Sequence, residues 1–156
     1  MPLVWKTHPS MKRFTVNDHA ETLRVESLMK HPNAIFVFGS NLAGRHGAGA
    51  AKDALDLYGA VRGVGHGPQG RAYAIPTKDE NINTLPFKTV VNYVSTFLDY
   101  ANQYPNLTFA VTRIGCGRAG YNDFQIAPLF THAPHNCQLP EHWRDIINGE
   151  QFSFEW

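Results

Sequence analysis

The sequence predicts an α/β fold: a three-layer α/β/α arrangement around a mixed, mostly parallel central sheet. Short, wholly apolar runs have the character of strands buried on both faces, and segments between them carry apolar residues at helical spacing. Such alternation gives parallel strands joined by crossover helices. Glycines cluster at the junctions: nine of the 13 lie between Gly39 and Gly70, and three more between Gly115 and Gly120.

The elements follow in order. Asp18 and Glu21 have the spacing of a capping pair, and Leu23, Val25, Leu28 and Met29 make a first helix that ends before His31-Pro32. The first strand is Ala34 to Phe38, stopped by Gly39. Ala51, Ala54, Leu55 and Tyr58 fall at i, i+3, i+4 and i+7, an amphipathic helix closed by Gly59. Gly63 to Gly70 reads as a surface loop. Ala72 to Ile75 is a second strand stopped by Pro76, and Thr77 to Asn81 continues as a polar loop.

Phe87, Val90, Val91, Val94, Leu98 and Ala101 mark the most regular helix, with Pro86 at its start and Pro105 beyond its end. Leu107 to Thr112 is a third strand, followed by a tight loop from Ile114 to Tyr121. Asn122 and Gln125 cap a helix that reaches about Phe130. Cys137 to Leu139 adds a last strand, and Pro140 to Ile147 a last helix.

With 156 residues, 43% of them hydrophobic and 17% charged, the chain has the material for one packed domain, taken as 1–156. Lys and Arg total 14 against 13 Asp and Glu, so no basic field points to nucleic acid. No apolar run approaches the eighteen or so residues of a membrane span. Two cysteines, and no signal-like pattern in the first twenty residues, lead us to expect a cytoplasmic protein without a membrane partner. His132 and His135 form a His-x-x-His pair with no third ligand nearby in sequence, so neither a metal nor a cofactor is expected.

Both glycine clusters lie where a strand feeds a helix, the place where an open α/β sheet binds ligands and where free N–H groups favour phosphate. Gly115-x-Gly117-x-x-Gly120 matches a dinucleotide fingerprint, but only 36 residues follow it, too few for the rest of such a domain. No glycine loop ends in the Gly-Lys-Ser/Thr of a P-loop. Asn41 is suited to hold a ligand or to cap a turn, and His46 to act as a general acid or base or to sit exposed. Cys116 either packs structurally or is activated by the loop, and Arg118 either covers phosphate or faces water. Lys78 and Asp79 follow a strand end on the same side of the sheet and either enter the site or form a polar loop.

Phe38-Gly39-Ser40-Asn41, followed by Gly44, Gly47, Ala48 and Gly49, resembles the first binding loop of the macro domain, the α/β module that binds ADP-ribose. Asn41 takes the place of the second asparagine of that family's Asn-Ala-Ala-Asn motif. Gly115-Cys116-Gly117-Arg118-Ala119-Gly120-Tyr121 stands where the family has Ser-Thr-Gly-x-Tyr/Phe-Gly. The likeness covers about Ala34 to Phe130, and its wording is similar to a divergent bacterial and phage branch.

The resemblance implies a nucleotide partner of the ADP-ribose kind, held by Ser40, Asn41, Gly47, Ala48, Gly49 and the 115–121 loop. Asn41 would bond the distal ribose, and the second loop would hold the diphosphate. Hydrolysis of ADP-ribose 1''-phosphate or of ADP-ribosyl groups would use Asn41 to orient substrate and His46 as base. The alternative is a non-catalytic protein that sequesters a nucleotide or a partner. Ala119 stands where the family has a sugar-packing aromatic, so that contact comes from Tyr121 or is absent. Phe38 replaces the first asparagine and no Gly-Asp-Ile segment is present, so the likeness carries the ribose-phosphate portion rather than the base.

Overall fold

Strand β1 (Ala34–Asn41) is the centre of a five-stranded sheet in the computed structural model, which describes residues 19–152. It pairs in parallel with β3 (Ala72–Lys78) on one side and β4 (Thr108–Val111) on the other. Strand β5 (Cys137–Gln138) extends the sheet in parallel beyond β4, and β2 (Gly67–Gln69) runs antiparallel along the far edge of β3. The order is β2-β3-β1-β4-β5.

Successive side chains of a strand point to opposite faces, and both faces are covered here. Val37, Tyr73, Ile75, Phe109 and Val111 share a core with helix α3 (Phe87–Gln103), helix α4 (Asp123–Ile126), the 3-10 turn Ala127–Phe130 and helix α5 (Glu141–Phe152). On the other face Phe36, Phe38, Ala72, Ala74 and Ala110 pack with helices α1 (His19–Met29) and α2 (Gly49–Leu57). The result is a three-layer α/β/α fold with a mostly parallel sheet. The first core is built on large rings such as Phe97, Phe130 and Trp143, and the second largely on alanines.

Several boundaries differ from the sequence reading. Strand β1 passes through Gly39 to Asn41, and Gly39 pairs with Ile75 of β3 as an ordinary strand residue, so this glycine makes no turn. Strand β3 likewise passes through Pro76, which pairs with Ser40 of β1. Its missing N–H is tolerated because β2 spans only Ala72 to Ala74, which leaves the outer side of Pro76 without a strand.

Asn122 and Gln125 form the expected capping box, each accepting the other's backbone N–H at 3.0 Å. The helix they start gives way to the 3-10 turn at Ala127–Phe130, where Pro128 supplies no N–H. Helix α5 runs beyond Ile147 to Phe152. Asp18, the expected cap of α1, lies outside the described residues. No helix among the described residues is long and apolar enough to cross a membrane.

Candidate functional site

The carboxyl ends of β1, β3 and β4 open into a cleft of about 800 Å3 that both glycine loops line. Its first wall follows β1. The Asn41 side-chain oxygen accepts the Arg45 N–H at 3.1 Å, and its carbonyl accepts the Gly44 N–H at 2.9 Å, so this residue folds the loop while facing the cleft. Helix α2 then starts at Gly49 with φ +59 behind Ala48, which offers no side-chain cap. The first-turn N–H groups are thus left for a ligand. Ser40, Gly47, Ala48 and Gly49 all line the cleft.

His46 does not. Its side chain is wholly buried, with the ring edge-on to Phe38 at 5.2 Å and Nε2 3.1 Å from the Val64 carbonyl. It is absent from the cleft wall, so the expected general base is a buttress of the loop. The geometry behind this lies in the 63–70 segment, which is exposed over much of its length, as its glycines suggest, but buries Gly65, Gly67 and Gln69 and carries the edge strand β2. Ser40 Oγ donates to the Gly65 carbonyl, Gly63 N–H donates to the Gly44 carbonyl at 2.9 Å, and buried Gln69 donates to the Val64 carbonyl at 2.9 Å. Gly44 and Gly65 are glycines because the two segments touch. A Cβ on either would meet backbone at 2.4 Å and 2.2 Å respectively.

The second wall comes from the loop after β4. Gly115, with φ +73, and Gly117, Arg118 and Ala119 line the cleft. Among the described residues, the N–H groups of Gly117, Arg118 and Ala119 meet no acceptor, which leaves three donors beside the cavity. Cys116, Gly120 and Tyr121 are not part of the wall. The Tyr121 hydroxyl donates to the Leu85 carbonyl and its ring packs edge-on to Phe87 at 5.5 Å, so the expected sugar contact is spent on the fold. At the base of the loop, buried Arg113, which also lines the cleft, donates to Asp123 at 2.9 Å, and the Trp143 indole donates to the same carboxylate at 2.8 Å.

Cys116 Sγ lies 3.4 Å from the Ile114 carbonyl, and burial, followed by the Asp123 charge, pushes its thiol well above the usual range. The thiolate is the reactive form. Folded protein at pH 8 is therefore expected to react with iodoacetamide far more slowly than the urea-unfolded chain, read by mass spectrometry; equal rates would overturn this assignment of Cys116 to packing.

Further stretches line the cleft. Helix α1 contributes Glu21, Thr22, Val25 and Glu26, and Phe36, Asp53 and Tyr58 face them. Glu21 is buried and bound by Arg24 at 2.9 Å, while Arg24 reaches the Val111 carbonyl at 2.6 Å and so ties α1 to β4. Sequence spacing assigned Glu21 to a capping pair with Asp18, and nothing local marks it as a cleft residue. Burial and then the neighbouring Asp56 raise the Asp53 pKa.

Lys78 enters the cleft wall, but Asp79 turns back on its own loop and accepts the Asn81 and Asn83 N–H groups at 2.9 Å each. Ile82 also lines the cleft, at φ +67, a conformation that costs a residue other than glycine of order 1–3 kcal/mol. The cleft is thus cationic at the loop end through Arg45, Lys78 and Arg118, and acidic beside α1. Among the described residues no group of three His, Cys, Asp or Glu side chains is placed to hold a metal ion, His132 and His135 included. Comparison with protein-family models, with curated proteins and with solved structures finds no match for this chain.

Proposed function

We propose that the cleft binds ADP-ribose or a related ribose-phosphate nucleotide, as the likeness of its two loops to those of the macro domain implies. One observation carries the reading: loops some seventy residues apart in sequence line the same cleft with free backbone donors, an uncapped helix start and the cations Arg45, Lys78 and Arg118. Backbone N–H groups at helix starts and in glycine loops suit phosphate, and the Asn41 side chain carries both a donor and an acceptor for sugar hydroxyls.

The burial of His46 favours holding the ligand over hydrolysing it. General-base work requires hydrogen-bond reach of the reacting water, and this ring lies behind the loop instead. The second reading, a nucleotide-sequestering protein, therefore gains on the hydrolase.

Calorimetry with ADP-ribose, ADP-ribose 1''-phosphate and NAD tests both. The expected result is saturable heat with at least one of them, weakened about tenfold or more by Asn41→Ala through loss of a ligand bond and of the turn that shapes the loop. Recovery of unchanged ligand after denaturation is expected. No heat with any of the three would remove the ligand assignment, and release of free phosphate or of ADP-ribose from a modified protein would restore the hydrolase.

A further inference from the structure

We infer that Ile82 is a specificity residue of this cleft: its side chain is the apolar surface on which the distal sugar of an ADP-ribose-type ligand packs. The inference rests on the reading of the cleft given above and adds the residue that distinguishes a sugar-bearing ligand from a shorter nucleotide.

The local chain would be better served by another residue. Ile82 has φ +67, where a β-branched side chain crowds its own backbone and glycine or asparagine fits freely. The turn nevertheless holds it there. Ile82 N–H donates to the Asp79 carbonyl at 3.1 Å, Asp79 N–H donates to the Asn83 carbonyl at 2.8 Å, and the Asp79 carboxylate accepts two more N–H groups. The far end is fastened to the second glycine loop, since Thr84 Oγ1 donates to the Ala119 carbonyl at 2.7 Å.

Core packing does not account for the isoleucine. It belongs to neither hydrophobic cluster and remains 39% exposed, yet it lines the cleft. Strain kept by a well-bonded turn, and aimed at a cavity, is the pattern found at ligand clamps.

Its position selects the part of the ligand. Asn41 of β1 pairs with Lys78 of β3, and Lys78 bridges to Thr84, so the 79–84 turn lies one strand beyond Lys78 from Asn41, and Asn41, Lys78 and Ile82 line the same cleft. Ala119 on the other side is small and buried and offers little surface. Lys78 and Arg118, also in the wall, are suited to phosphate, which leaves Ile82 as the aliphatic group for the carbon face of a ribose. The class of ligand is therefore a phosphorylated sugar nucleotide with an unsubstituted sugar face, bound through Asn41 on its hydroxyl edge.

The test compares parent protein with Ile82→Gly, Ile82→Asn and Ile82→Val, by thermal melting without ligand and by calorimetry with ADP-ribose and with ADP. Glycine and asparagine tolerate the positive φ, so those variants are expected to melt no lower than the parent. They are expected to lose about five- to tenfold in affinity for ADP-ribose, the effect of removing a partly buried apolar contact, while affinity for ADP changes less than about twofold. Ile82→Val keeps the aliphatic wall and is expected to bind ADP-ribose nearly as the parent does. If the parent binds ADP-ribose and Ile82→Gly binds it equally well, or if ADP and ADP-ribose weaken together, the sugar contact is overturned and the cleft reading stands. If the parent binds neither ligand, the cleft reading fails and the inference with it.

Discussion

Gly65→Ala is expected to lower stability by about 3 kcal/mol and to abolish binding in the cleft. The added Cβ would stand 2.2 Å from the Asn41 carbonyl oxygen and 2.7 Å from that of Leu42. Both are backbone atoms at the end of a central strand and cannot swing aside as a long side chain would. Overpacking of this kind costs about 1–3 kcal/mol and more where the backbone must move. For a chain of this size that corresponds to a fall in melting temperature of about 6–12 °C.

The shift would also displace Asn41 and break the bond from Ser40 Oγ to the Gly65 carbonyl, so both ends of the first loop would move. Gly63→Ala is the control. That glycine has φ +87 with open space around it, so only the conformational cost of about 1 kcal/mol applies. Thermal melts decide the matter, and a Gly65→Ala protein that melts with the parent would overturn the brace assigned to the 63–70 segment.

The second large effect concerns the charge at the base of the other loop. Asp123→Asn is expected to cost about 3 kcal/mol, because it leaves the Arg113 guanidinium buried without its carboxylate. Trp143 still finds an amide oxygen, which makes the loss one of charge rather than of shape.

The same pair sets a pH dependence. Burial acts to raise the Asp123 pKa, but hydrogen bonds from Arg113 and Trp143, together with the Arg113 charge, overcome it and leave the carboxyl below its ordinary range. A carboxyl depressed in the folded state stabilises fully above its unfolded pKa of about 3.9, and that stability is lost as pH falls through the folded value. Urea midpoints of the parent should therefore decline on acidification below about pH 4, and the variant should lack this part of the slope. A variant with the parent's midpoint at pH 7 would remove the pair from the stability of the fold.

Where the fold was legible, the reason was periodicity. Wholly apolar runs such as Ala34 to Phe38 specify strands covered on both faces, and Val90, Val94 and Ala101 specify the buried stripe of α3. Those patterns, with the capping box at Asn122 and Gln125, suffice for an alternating α/β order and for two loops at strand ends. Punctuation misled at Gly39 and Pro76. Each breaks a strand in isolation, but Gly39 is held in the sheet by its pairing with Ile75 and Pro76 sits beyond the reach of β2.

The sequence by itself determined the class of fold and pointed to two loops, Ser40 to Gly49 and Gly115 to Tyr121, parts of which line the cleft, because both are local consequences of spacing and of backbone freedom. Only the tertiary structure decided which side chains of those stretches face the cavity. It turned His46, Cys116 and Tyr121 inward and brought Glu26, Lys78 and Ile82 to the wall. Direction of a loop side chain depends on what packs behind it, and here that is the 63–70 brace, the Arg113–Asp123 pair and Leu85, contacts between residues distant in sequence that no local pattern encodes.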